Sequence, residues 1–314
     1  MSFATIEITR RERFEMAKQA VAKKPAKRSD FFTAIPFVLP ALIGLSVFVL
    51  VPGIRGIYLA FTSYDVFTDP IFTGLDNFVT MFQDELFWNA LAVTSQYVAI
   101  NIAIQTVVSL FIAVLLHRFT RSTLIRGIVL MPYLISNVIV ALVWYWLLDY
   151  NLGLVNSVID FLGLSKFTFF SDMTAMPTIA LINVWRHMGY TSLLIFAGLQ
   201  AIPEDVYAAA AVDGAGEWRT FRSITLPLLR PVLAFVLVIT ITGSFQIFDT
   251  VAVTTNGGPI NATRVFSLWI ADKAWGDFNF GYASAISVFL MVLLSVIAFA
   301  QTKLLRASES DLER

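Results

Sequence analysis

Cysteine is absent from the 314 residues, which excludes disulfide frameworks, thiolate metal sites and thiol nucleophiles. Histidine is nearly so: His117 and His187 are the only two, and no metal site is expected. Charge is scarce, at 14% against about 25% in ordinary soluble domains. The 22 Lys and Arg balance the 22 Asp and Glu, so nothing builds a basic surface and no nucleic-acid partner is expected. A His/Asp cluster or a pair of carboxylates from which catalysis could be built is also missing, and no catalytic residue is assigned. What fills their place is apolar bulk, with 57% hydrophobic residues and a mean hydropathy of +0.74. Such a chain reads as an all-α membrane protein, because at bilayer depth every backbone amide must be bonded within a helix.

Residues 1–30 form a basic tail, with Arg10, Arg11, Arg13, Lys18, Lys23, Lys24, Lys27 and Arg28 and no apolar run of the kind that makes a secretory leader. Thr9 and Glu12 are spaced to cap a short helix to about Val21, which would lie on anionic lipid; a disordered arm fits as well. A transmembrane domain over 31–305 follows, with apolar spans at 31–61, 88–116, 127–148, 177–200, 228–251 and 280–304. Each exceeds the roughly 20 residues that cross a hydrocarbon core of about 30 Å, which predicts six transmembrane helices. Pro36, Pro40, Pro52 and Gly53 predict a bend in the first. Trp88, Trp144 and Trp146 sit towards span ends, where interfacial aromatics belong. Residues 306–314 are a second tail.

The Lys and Arg counts set the orientation. With the N-terminus inside, the first tail holds eight, the 117–126 loop three, the 201–230 loop three and the last tail with the adjoining Lys303 three, seventeen in all. The three outer loops hold only Lys166, Arg264 and Lys273. The positive-inside rule therefore places both termini in the cytoplasm. The first outer loop is acidic, with Asp65, Asp69, Asp76, Asp84 and Glu85.

Between the fourth and fifth spans, residues 203–226 read as two short helices. Pro203, Glu204 and Asp205 suit a helix start, and the alanines Ala208, Ala209 and Ala210 continue it with little bulk. Asp213, Gly214 and Ala215 break it. A second amphipathic stretch presents Trp218, Phe221 and Ile224 on one face before Pro227 interrupts it. A small-faced helix with a sharp turn suits docking into a partner's cleft, while a plain interfacial helix anchoring the loop is the alternative.

The spacing of Ala208-Ala209-Ala210, Gly214, Ile224 and Leu226-Pro227 resembles the cytoplasmic EAA loop of bacterial ABC importer permeases. Asp213-Gly214-Ala215 and the run from Ile224 to Pro227 are similar to the carbohydrate-uptake branch, of MalF and UgpA type. Pro40 to Gly44, Ile247 to Asp249, Gly257 to Pro259 and Gly281 to Ala285 extend the resemblance over about residues 31–305. It implies the ABC type I importer permease fold with a cytoplasmic coupling helix, in a bacterial inner membrane. It also implies the partners: a second permease subunit, usually a different chain, two ATPase subunits, and a periplasmic or lipid-anchored solute-binding protein. The chain would bind no cofactor itself, ATP and Mg residing on the ATPases; it has no G-x-x-x-x-G-K-[ST] of its own. The family's usual Glu falls on Ala208, where the acidic contact with the ATPase is absent, and Glu204 and Asp205 are the nearest acids.

Polar residues inside apolar spans are expensive and are candidates for the solute path. Arg186 lies near mid-depth of the fourth span, with Asn183, His187 and Tyr190 on adjoining faces. Tyr97, Asn101 and Gln105 form a row in the second span, Ser136 and Asn137 lie in the third, and Thr240, Ser244 and Gln246 in the fifth. Amides and aromatics suit sugar or polyol hydroxyls, although such residues also bond neighbouring helices for structure alone. Asp249 is expected at the outer interface. An ion-coupled secondary transporter is the competing class, but it calls for intramembrane acids and paired repeats, neither of which is found.

Overall fold

The computed structural model describes residues 28–120 and 122–306. The basic tail with its Thr9–Glu12 cap, up to residue 27, and the tail from 307 lie outside the described residues. The chain divides between Arg55 and Gly56 into two units.

The first unit is a run of helix: α1 (Arg28–Leu45), one π turn (Ser46–Leu50), and the start of α2 (Val51–Leu59). The sequence predicts a bend here, yet Ile35–Leu59 is a single apolar helix long enough to cross a membrane. Pro52 brings no N–H to the ladder, and the Val51 amide reaches back five residues to the Ser46 carbonyl, so one widened turn accommodates the missing donor.

The second unit opens on a small hairpin in which Thr62 of β1 (Thr62–Ser63) faces Phe72 of β2 (Ile71–Phe72). Asn77 of α3 (Asp76–Gln83) donates to the carbonyls of Ala60 and Thr62 and fixes the hairpin to the helix after it. The turn is held by Asp65, whose carboxylate accepts from the Thr68 and Phe67 amides and the Thr68 hydroxyl. These donors keep its pKa below the ordinary value, the Thr68 amide most of all.

Behind it runs α4 (Glu85–Phe119), 35 residues long, which Asp84 caps by accepting from the Leu86 amide. It packs along α8 (Ala175–Gln200), the fourth apolar segment. The third segment, expected as a span over 127–148, is not one continuous helix. It is two helices, α5 (Thr123–Leu134) and α6 (Asn137–Leu147), crossing at 88° around Ile135 and Ser136. The fifth segment is α12 (Arg230–Phe245), followed after a break at 246–248 by α13 (Asp249–Thr254); the short α14 (Phe266–Ala271) precedes the sixth, α15 (Phe280–Arg306). Among the described residues, four helices are long and apolar enough to cross a membrane alone, or up to six if each of two bent pairs counts as one span.

Two apolar cores hold most of the second unit together. One gathers Met81, Phe87, Ile179, Phe266 and Ile286; the other joins Ala113, Leu116, Ile195, Leu229 and Val236. Close approach at two glycines sets the packing. A Cβ on Gly189 would collide with the Val129 carbonyl of α5, and one on Gly281 with the Thr62 carbonyl of the hairpin. Between α6 and α8 lies a connection built on Asp149, which accepts from the Leu152 and Asn151 amides, and on a short helix α7 (Leu154–Phe161). The two amides, Leu152 first, hold the Asp149 carboxylate below its ordinary pKa.

Candidate functional site

A cavity of about 270 Å³ lies among α4, the α5–α6 break, α8 and the region where α12 ends. Helical periodicity accounts for its walls. Tyr97, Asn101 and Gln105 recur every four residues on one face of α4, as do Asn183, His187 and Thr191 on α8, and Thr240 and Ser244 on α12. Of the residues proposed from sequence, the structure brings Asn137, Asn183, His187, Tyr190, Thr240, Ser244 and Gln246 together in this wall.

A polar ladder ties the helices across the cavity. The Asn101 amide donates to Ser244 Oγ at 3.0 Å and to Gln105 Oε1 at 3.1 Å, and Gln105 Nε2 donates to Thr191 Oγ1 at 2.8 Å. The Ser244 hydroxyl gives its own proton to the Thr240 carbonyl at 2.7 Å, so its oxygen must accept from Asn101. That fixes the amide orientation and leaves the buried Asn101 Oδ1 without a protein partner. Asn137 Nδ2 donates to the Asp249 carboxylate at 2.9 Å, leaving Asn137 Oδ1 likewise free. Thr250 Oγ1 donates to Asn183 Oδ1 at 3.2 Å.

Arg186 and Ser136 are not part of the cavity wall. Arg186 instead closes the α5–α6 break: Nε donates to the Ile135 carbonyl at 3.0 Å and Nη2 to the Tyr133 carbonyl at 3.1 Å, two acceptors that the end of α5 leaves open. Its third nitrogen meets His187 Nε2 at 2.9 Å. A guanidinium only donates, so Nε2 accepts and the ring proton sits on Nδ1, which donates to the Asn183 carbonyl at 2.9 Å. Arg186 also lies over the Tyr133 ring, 5.2 Å from its centroid, and Tyr133 stacks on Tyr190 at 4.5 Å.

Sequence reasoning missed Tyr133 and did not count Asp249 among the candidates for the solute path; both line the cavity. Tyr133 follows Pro132 at the end of an apolar run, and only the break turns it inward. Asp249, expected at an interface, begins α13 after the chain has turned at 246–248.

The 203–226 loop forms α9 (Glu204–Val212), with Glu204 and Asp205 in its first turn. It ends in a two-bond turn, the Ala215 amide on the Ala210 carbonyl and the Gly214 amide on Ala211, with Gly214 at φ +71°. Ala210 is buried, whereas Ala208, Ala209 and Asp213 are exposed and Val212 is 88% exposed. After it come α10 (Glu217–Thr220), a π turn (Phe221–Thr225) and α11 (Leu226–Leu228). Pro227 does not interrupt this stretch as expected: it stands in the first turn of α11, where no amide is needed, and the Leu226 amide reaches back to Phe221. Trp218 is 71% exposed and stacks on half-buried Phe221 at 5.9 Å; Ile224 is half-buried. An ion pair of 2.6 Å from Arg118 to Glu217 spans from the end of α4 to the start of α10.

Apolar helices around a polar cavity, with a helical loop offering exposed small residues, define a membrane transport component. The chain belongs to the family of binding-protein-dependent transport system inner membrane components, which it matches over residues 105–309. It is 35% identical over 285 residues to the probable ABC transporter permease protein YesP of Bacillus subtilis (strain 168), covering 88% of this chain and 92% of that one. It is 34% identical over 268 residues to the trehalose/maltose transport system permease protein MalF of Thermococcus litoralis, covering 83% and 90%. Among solved structures, a chain of a bacterial ABC transporter involved in import of the acidic polysaccharide alginate superimposes with a TM-score of 0.78 at 25% identity, covering 93% of this chain and 99% of that one. The fold is therefore that of an ABC importer permease, and the chain is a non-catalytic membrane component of such an importer.

Proposed function

We propose that this chain forms half of the translocation path of an ATP-driven importer for a sugar, polyol or related carbohydrate. The observation that carries the reading is the cavity: amides, hydroxyls and a stacked Tyr133–Tyr190 pair, the mixed donors, acceptors and ring faces that a polyhydroxylated solute needs. The relative named for trehalose and maltose transport supports the same class.

The chain crosses the membrane six times in this reading, with α5 and α6 together as the third span. At 26 residues, α8 alone reaches about 39 Å at roughly 1.5 Å per residue and needs no help from α9. That leaves α9 as the coupling helix, with Ala208, Ala209, Ala210, Asp213, Gly214 and Ala215 forming its face and turn and Trp218, Phe221, Ile224 and Pro227 the arm to the next span. Seventeen Lys and Arg on the loop side of α9 against three opposite support a cytoplasmic position for it, beside both termini. ATP and Mg bind to two separate ATPase subunits, a second permease completes the path, and an extracytoplasmic binding protein delivers the solute to the bacterial inner membrane.

Mass spectrometry of what co-purifies with the tagged chain from gently solubilised membranes tests this. Recovery of an ATPase and a second permease in stoichiometric amounts is expected. Recovery of the chain alone, from membranes in which uptake is active, would overturn the proposed assembly.

A further inference from the structure

A second cavity, of about 340 Å³, lies beneath the 203–226 loop. Val114, His117 and Arg118 from the last turns of α4 form one wall, and Tyr207 and Ala211 of α9 face them. Tyr207 and Ala211 stand one turn apart, on the face of α9 turned away from the exposed Ala208, Ala209 and Val212. Val114 belongs to the apolar span 88–116 and Arg118 lies just past its end, so the cavity straddles the edge of the hydrocarbon.

The rim is cationic. Arg118 pairs with Glu217 at 2.6 Å across the mouth, but Glu217 is 84% exposed, and a pair so open to solvent holds its partners weakly. Beside it, Phe196 of α8 carries the Arg126 guanidinium over its face at 4.4 Å and meets the His117 ring edge-on at 6.3 Å. Arg126 has no carboxylate partner among the described residues, and its hydrogen bond there is a long one, Nη2 to the Thr120 carbonyl at 3.5 Å. Between the two arginines in sequence stand Phe119 and Leu124, 77% and 73% exposed.

Cations interleaved with exposed apolar side chains, at the point where a span ends, suit a ligand with a phosphate at one end and hydrocarbon at the other. A guanidinium offers a phosphodiester two parallel N–H donors. Free phosphate has the same headgroup chemistry but nothing to set against Val114, Phe119 or Leu124.

We propose that an anionic phospholipid of the cytoplasmic leaflet docks here, its headgroup against Arg118 and Arg126 and its chains along Val114, Phe119 and Leu124. This rests on the six-span reading above, which puts the 203–226 loop on the cytoplasmic side. In taking Arg118 the phosphate displaces Glu217, so the lipid releases the ion pair that ties α10 to the end of α4.

The test reconstitutes the whole assembly, with all its subunits, in nanodiscs of equal parts phosphatidylglycerol and phosphatidylcholine, and weighs the released complex by native mass spectrometry. Retention of phosphatidylglycerol in preference to phosphatidylcholine is expected, falling about fivefold or more in Arg118→Gln/Arg126→Gln. Removing two other exposed cations of the same side, in Arg230→Gln/Lys303→Gln, should leave retention at the parental level. Equal retention of the two lipids, or an equal fall in both double variants, would overturn the site in favour of diffuse attraction. Displacement of phosphatidylglycerol by millimolar inorganic phosphate would overturn the lipid and assign the site to a free anion. Glu217→Gln removes the competing carboxylate and should raise retention; unchanged retention would overturn the exchange at Arg118. If the arginine variant fails to accumulate, the parental preference and its response to phosphate still decide. The same spectra weigh the subunits: an intact assembly without bound lipid overturns the site alone, whereas this chain retaining phosphatidylglycerol without ATPase or second permease overturns the assembly and supports the site.

Discussion

Arg186 holds Tyr133 by its backbone, Nη2 donating to the Tyr133 carbonyl at 3.1 Å across the break between α5 and α6. With Nε on Ile135, this makes Arg186 the cap of a helix in another part of the sequence. Arg186→Met should lower stability by about 1–3 kcal/mol, because two half-buried carbonyls lose their partner, and the purified assembly should melt earlier. Arg186→Lys should recover part of the loss. A side chain whose role was to touch the solute would instead raise the KM for uptake and leave the melting temperature alone.

Gly189 is where α8 lies against the backbone of α5. Gly189→Ala should force these helices apart at a cost of about 1–3 kcal/mol, the usual penalty of overfilling a packed contact. Gly127→Ala is the matched control, since a Cβ there meets nothing within 4 Å. Melting curves of the two variants should separate clearly, the control staying with the parent.

Gly214 combines a φ of +71° with open space around the missing Cβ. Gly214→Ala should therefore cost only about 1–2 kcal/mol of backbone strain, and uptake should survive. Gly214→Trp projects a bulky side chain from the proposed coupling turn and should abolish uptake at normal membrane abundance. Transport at the parental rate in that variant would count against docking through this loop.

Asp65 orders the 62–72 hairpin through donors that favour its charged form. Its pKa in the fold lies below the ordinary 3.8, so its contribution is complete above that value and is lost as pH falls through the lowered one. Hydrogen exchange of the 66–68 amides should accelerate over that acidic range. In Asp65→Asn the acid-dependent step should vanish.

How much of this was legible in the sequence varies with the kind of interaction. The cavity wall was readable because Asn101 and Gln105, or Asn183 and His187, stand four apart in otherwise apolar helices, where periodicity alone aligns them. The break in the third segment was not, although Pro132 stood there: a proline inside an apolar run is compatible with both a kink and a stop, and the choice here is tied to Arg186, 51 residues from Ile135. Arg186 was visible as a charge that needed a partner, but a backbone carbonyl leaves no mark in a sequence. The same blindness affected Pro227 and Pro52, which look like terminators and are accommodated by neighbouring wide turns.

Those wide turns have a mechanical meaning. Each π turn holds one residue more than the ladder needs, so the helix after it is out of phase with the helix before it by about 100°, one residue's share of a full revolution. At Phe221–Thr225 that offset lies within the 203–226 loop, between α10 and the helices α11 and α12 that follow. Removing one residue there would restore a regular ladder and turn α9 about the axis like a key in a lock, with every side chain chemically intact. Residue number in this short stretch is thus as much a specification of the linkage as residue type.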